Sequence, residues 1–125
     1  MIILTVDEIM ALHTQLTKRT GGADGLREMG LLESAVYSAE TSFGGEDIYK
    51  TVEEKSARLA YSLVSNHAFV DGNKRIGFLV MLMMLKINGV EMKFTQSELI
   101  DFGLSTASGK MSYEDILNWI MIHKL

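Results

Sequence analysis

His67-Ala68-Phe69-Val70-Asp71-Gly72-Asn73-Lys74-Arg75 runs straight into the apolar stretch from Ile76 to Leu85. Nowhere else in the chain do a histidine, a carboxylate, a glycine, an amide and two adjacent cations stand so close together. Asn73 is placed to cap a helix that runs to Asn88 and is closed by Gly89, which puts Lys74 and Arg75 in the first turn. Cations beside the partial positive charge of a helix N-terminus each give up roughly 0.3 to 1 kcal/mol, so the pattern makes sense when an anion sits there too. A phosphate fits, because free backbone N–H groups, a close approach at Gly72 and two basic side chains form an anion cradle. Asp71 would repel such a phosphate unless a hard cation bridged the two, and Mg2+ commonly binds through one carboxylate plus substrate phosphates. An unperturbed imidazole titrates near ~6.5, so a histidine at position 67 can take a proton from an attacking hydroxyl at neutral pH. The stretch reads as a phosphoryl or nucleotidyl transfer site. Beyond it, Ile76 and the run from Phe78 to Leu85 leave no polar face, so the following helix is expected to be buried among others on nearly all sides. Its three methionines, Met81, Met83 and Met84, read as gap-filling core rather than as metal ligands.

The pattern His-x-Phe-x-Asp-Gly-Asn-Lys-Arg resembles the signature of the Fic/Doc family, and its lysine variant resembles the Doc (death on curing) toxins. The likeness extends in order and spacing to Leu12-His13, the Gly21-Gly22 loop, the helix leading into His67, Asn88-Gly89-Val90 and the Ala107-Ser108-Gly109 turn. It implies an all-α bundle, His67 as general base toward a substrate hydroxyl, Asp71 on Mg2+, and Asn73, Lys74 and Arg75 on the phosphates of ATP or another nucleoside triphosphate, beside the close approach already read at Gly72. Members of the family that transfer AMP usually have Pro after the histidine, Gly where this chain has Lys74, and a second Arg where it has Phe78. A hydrophobic ring cannot replace a bidentate phosphate clamp, whereas Lys74 adds a point charge. The Doc toxins share these departures. By resemblance the chain is therefore a Doc-like toxin that phosphorylates a Thr or Ser hydroxyl, on elongation factor Tu, and so inhibits translation. AMP transfer is the second reading, and a catalytically silent regulatory module the third. No Glu is followed by Gly or Asn, as the self-inhibitory helix of Fic proteins requires. A separate antitoxin protein, docking as an amphipathic helix, is the partner expected instead.

Composition sets the bounds. With 125 residues, 47% hydrophobic and 22% charged, the chain is expected to form one domain, 1–125, around a single core. The absence of Pro, where average usage would give about six, favours uninterrupted helices. The absence of Cys excludes disulfides and thiolate chemistry, and is compatible with a cytoplasmic location. The ten-residue apolar run falls short of the ~20 needed to cross a bilayer, and Met1-Ile2-Ile3-Leu4 lacks the basic flank of a signal peptide, so no membrane association is expected. A net charge of -4 argues against general nucleic-acid binding.

In chain order, Thr5-Val6-Asp7-Glu8 is a capping box opening a helix to about Lys18, with His13 close to its apolar face and read as a structural, hydrogen-bonded histidine. Thr20 to Gly30, with four glycines and Arg27, reads as a loop. A helix is expected from Leu31 to Ser42. Phe43 to Tyr49, interrupted by Gly44-Gly45, suits a flap or small hairpin or a plain connector, and by resemblance is the family's substrate-positioning flap. Thr51-Val52-Glu53-Glu54 opens the helix that delivers His67. Gly89 to Phe94 reads as short and extended, Thr95 begins a helix to about Thr106, and Ser112 begins another through Ile122. Phe69 is expected to anchor the motif loop into the core. The result is a bundle of about six helices around a buried central helix that starts near Asn73.

Overall fold

The computed structural model describes residues 1–107 and 111–125. Among them lie six helices and one small hairpin, in the order α1 (Val6–Thr20), α2 (Met29–Ser38), β1 (Ser42–Phe43), β2 (Glu46–Asp47), α3 (Val52–Asn66), α4 (Asn73–Ile87), α5 (Gln96–Ala107) and α6 (Tyr113–His123). The all-α bundle expected from the sequence is what forms. Thr5, Thr51 and Ser112 close capping boxes on Glu8, Glu54 and Asp115. Thr95 and Glu98 exchange the same pair of bonds at the start of α5.

Helix α4 divides the core. Ile76, Val80 and Met84, one turn apart, pack with Ile9, Leu32, Leu59, Leu63 and Phe69 on one side. Met81 and Leu85 pack with Ala57, Ala60, Phe102, Ile116 and Ile120 on the other. Two buried surfaces on one helix account for its lack of a polar face, and its methionines serve those surfaces. Gly77 sets the spacing to α3: a Cβ there would lie 2.8 Å from Val64 Cγ2 and 3.3 Å from the Ala60 carbonyl oxygen. The far end of α4 closes as a Schellman turn, with Gly89 at φ 81, Gly89 N–H donating to Lys86 O and Val90 N–H to Leu85 O.

Three boundaries differ from the sequence reading. Asn73 does not cap α4. The cap is Gly72, in the left-handed conformation at φ 77, and Asn73 is already the first helical residue. Helix α2 begins two residues early and ends at Ser38 rather than Ser42. Hydroxyls end it, since Thr41 Oγ1 donates to Ser38 O and Ser38 Oγ to Ala35 O, leaving Ser42 free to enter the hairpin. Helix α1 continues to Thr20, where Gly21 N–H donates to Thr17 O. The stretch after Gly89 is extended, pairing Met92 with Lys124. The turn expected at Ala107-Ser108-Gly109 lies, beyond Ala107, outside the described residues.

The segment from Phe43 to Tyr49 is a hairpin rather than a plain connector. Gly44 and Gly45 both take positive φ, 61 and 84, as a two-residue turn of this hand requires. Its base is fixed from α3 by the buried Lys55. That ammonium donates to Ala39 O at 3.1 Å and to Asp47 Oδ2 at 3.3 Å, with Glu40 Oε2 at 4.0 Å. The tip is free, and Phe43 is 84% exposed.

Candidate functional site

The site is built where α3 ends and α4 begins. His67 is the C-cap of α3, with φ 52 and ψ 49, and no other non-glycine among the described residues has positive φ. Left-handed backbone costs an L-residue roughly 1–2 kcal/mol, and it reverses the chain so that Ala68 and Phe69 enter the core while His67 stays exposed. Asn73 clips the turn that follows. Its Oδ1 accepts from Phe69 N–H and its Nδ2 donates to Phe69 O, both at 3.0 Å. The side chain that seemed placed to cap α4 is therefore engaged by the loop, and the backbone N–H is what Asn73 can offer to the cleft.

His13 supports the loop from below. It is 1% exposed and its ring stacks on Phe69, with centroids 3.8 Å apart. Its Nε2–H donates to Asp71 O at 2.7 Å, which directs Nδ1 toward Asp24 Oδ1, 3.6 Å away. The structural role read for His13 and the anchoring role read for Phe69 meet in this single stack. The loop after α1 closes the other side. Gly25 to Glu28 runs antiparallel to Ala68 to Val70: Val70 N–H donates to Gly25 O, and the N–H groups of Arg27 and Glu28 both donate to Ala68 O. Gly22, at φ +97, lies so close to Asp71 that a Cβ on it would stand 2.7 Å from Asp71 Oδ2. A side chain at position 22 and the present carboxylate position exclude each other.

His67, Asp71, Gly72, Asn73, Lys74 and Arg75 line one open cleft of about 350 Å³, together with Val70. Every residue picked out from the sequence as a site candidate borders this space. Asp71 Oδ1 accepts from Gly72 N–H at 2.8 Å, so the carboxylate is held in one orientation. Arg75 Nη1 donates to Thr20 Oγ1 at 3.2 Å, while Lys74 is exposed at the rim. No side chain caps α4, and no acidic residue lies in its first turn, so its leading N–H groups and two cations present positive charge to the cleft, with the Asp71 carboxylate beside them. A larger cavity of about 520 Å³ lies near the other end of α4, lined by Leu82, Val90, Met92 and Phe94. It has neither a histidine nor paired cations.

The remaining histidine is elsewhere. His123 on α6 joins Glu98 and the Trp119 carbonyl oxygen. The Glu98 carboxyl is held below its usual range, first by the Thr95 N–H and then by His123. Among the described residues no group of three His, Cys, Asp or Glu side chains gathers as a metal site. Asp71 alone nevertheless suits Mg2+, which takes one or two carboxylates and completes its shell with phosphate oxygens and water. Phe78 is half-buried against Phe102, with ring centroids 4.7 Å apart, and belongs to the core.

The sequence reading placed Thr20, Gly22 and Arg27 in a loop and gave none of them a role at the site. Arg27 Nε donates to His67 O at 2.8 Å and its Nη2 to Asn66 O at 3.4 Å, across forty residues. No local pattern announces such a bond. The Gly21-Gly22 pair was a usable signal, because adjacent glycines mark close backbone approach.

A helical bundle that offers an open helix start, two cations, a fixed carboxylate and a histidine in one cleft defines a class with an anion-receptive loop. A model of the Fic/DOC family matches residues 3–85, and the chain belongs to that family. It is 42% identical over 72 residues to the toxin Doc of Mycolicibacterium smegmatis, a match covering 58% of this chain and 55% of that protein. It is 29% identical over 113 residues to the protein kinase doc of Escherichia phage P1, covering 90% of this chain and 88% of that one. The chain thus spans about half the length of the first relative and most of the second. No helix among the described residues is long and apolar enough to cross a membrane.

Proposed function

We propose that the protein is a Doc-like toxin that transfers the γ-phosphoryl group of ATP, or of another nucleoside triphosphate, to a Thr or Ser hydroxyl of a protein. The observation that carries this reading is the start of α4, which bears two cations and no side-chain cap, inside the same cleft as His67 and Asp71. His67 takes the proton of the acceptor hydroxyl on a ring nitrogen as the oxygen bonds to the γ-phosphorus, and the bond from that phosphorus to the β-γ bridging oxygen breaks, leaving ADP. The N–H groups of Asn73, Lys74 and Arg75, with the Lys74 and Arg75 side chains, hold the phosphate oxygens and offset their charge. Gly72 lets those oxygens approach the backbone. Asp71 would hold Mg2+, which supplies charge neutralisation between carboxylate and phosphates.

Phosphoryl transfer is preferred over AMP transfer because position 78 carries a ring packed into the core, where AMP-transferring members of the family usually have a second phosphate-clamping Arg. The relative named a protein kinase supports the same choice. By resemblance the acceptor is elongation factor Tu in the cytoplasm, and a separate antitoxin restrains the protein. Mass spectrometry of a bacterial lysate incubated with the protein and Mg-ATP tests this. The expected product is a protein carrying one phosphoryl group on Thr or Ser. An adenylyl group on the acceptor would replace the kinase reading with AMP transfer, and no adduct of either kind would favour the silent binding module.

A further inference from the structure

Arg27 stands out because it is exposed and belongs to a loop, yet the recorded bonds of its guanidinium both go to the backbone that positions His67. Helix α3 ends with carbonyl oxygens that its own last turn leaves without a basic partner. Unsatisfied carbonyls at a helix C-terminus attract a cation, and a guanidinium can span two of them because its donors form a rigid fork. Arg27 does this from outside the helix, through Nε to His67 O and Nη2 to Asn66 O. Its main chain adds a second grip one residue further on, since Arg27 N–H donates to Ala68 O at 2.7 Å. His67 is thereby fastened on its carbonyl side while it holds a left-handed conformation that a non-glycine residue does not favour.

We infer that Arg27 is a positioning residue for His67, keeping it in the left-handed conformation that presents its ring to the cleft. This rests on the transfer reading above only for its catalytic consequence. Arg27 touches no reacting atom in this account. Without it, His67 can relax toward ordinary backbone angles and swing its ring away from a bound hydroxyl, and misplacement by about 1 Å costs roughly a hundredfold in rate. Nucleotide binding is left alone, because the cradle at Gly72 to Arg75 is held independently by Asn73 and His13.

The experiment compares wild type, Arg27→Ala and Arg27→Lys by two readouts. One is the three-bond HN–Hα coupling and Cα shift of His67, which report positive φ without reference to activity. The other is kcat and KM for Mg-ATP in phosphoryl transfer to lysate protein. Arg27→Ala should lose the positive-φ signature and about tenfold to a hundredfold in kcat, with KM changed less than about twofold. Arg27→Lys, which keeps one donor for His67 O, should recover most of both. An unchanged His67 signature in Arg27→Ala overturns the inference whatever the activity, and so does a loss confined to KM. If wild type transfers no group, the transfer reading fails while the signature still decides the role of Arg27. Should Arg27→Ala fail to fold, Arg27→Gln takes its place, with the same two outcomes.

Discussion

His67→Ala is expected to lower phosphoryl transfer by about 10²- to 10⁴-fold, the range over which a positioned general base contributes. Little else should change. Among the described residues no partner takes the His67 ring, and its recorded bond is made by its carbonyl oxygen, which alanine retains. Alanine has a Cβ as histidine does, so the left-handed backbone carries a similar strain in both. The melting temperature should therefore stay close to wild type, as expected for a surface change that removes no packing. Mg-nucleotide affinity should also hold, since the phosphates are assigned to the other side of Gly72. Single-turnover rates and nucleotide titration on the same preparation separate these effects. Wild-type turnover in this variant would remove the general-base assignment.

Asp71→Ala is expected to act on binding rather than on the proton. Losing the one carboxylate that can hold Mg2+ in the cleft should weaken Mg-ATP by roughly tenfold to a hundredfold, equivalent to about 1.4–2.8 kcal/mol. Binding of ATP without the metal should stay level or improve, because a negative charge has left the neighbourhood of the phosphates. The Asp71 carboxylate also accepts from Gly72 N–H, so a stability loss of about 0.5–1.5 kcal/mol accompanies the change. Calorimetric titration with and without Mg2+ checks the sign. Equal weakening under both conditions would show that Asp71 shapes the loop and does not hold the metal.

The parts of this molecule that could be read from the sequence are those written in local patterns. Thr5, Thr51, Thr95 and Ser112 each stand three residues before an acid, and each starts a helix as that spacing requires. The unbroken apolar run after Ile76 marked α4 as central, and the structure gives it a buried surface on two sides. The site candidates were legible because they sit together on one loop. What the sequence concealed was tertiary. Asn73 has the residue type of a cap, but the left-handed Gly72 takes that position, and the amide turns back to Phe69. Arg27 and Gly22 reach the motif from the loop after α1, and neither spacing nor period connects them to it. The end of α2 was set by hydroxyls competing for its last carbonyls, which a count of apolar residues does not register.

The claim on which the rest depends is that phosphates sit on the start of α4 beneath His67. Titrating 15N-labelled protein with Mg-ATP and following backbone amides by NMR tests it most directly. The amides of Gly72, Asn73, Lys74 and Arg75 are expected to move first and furthest, saturating together, while those of α6 stay still. Shifts centred instead on Val90, Met92 and Phe94, around the apolar cavity near the far end of α4, would contradict it.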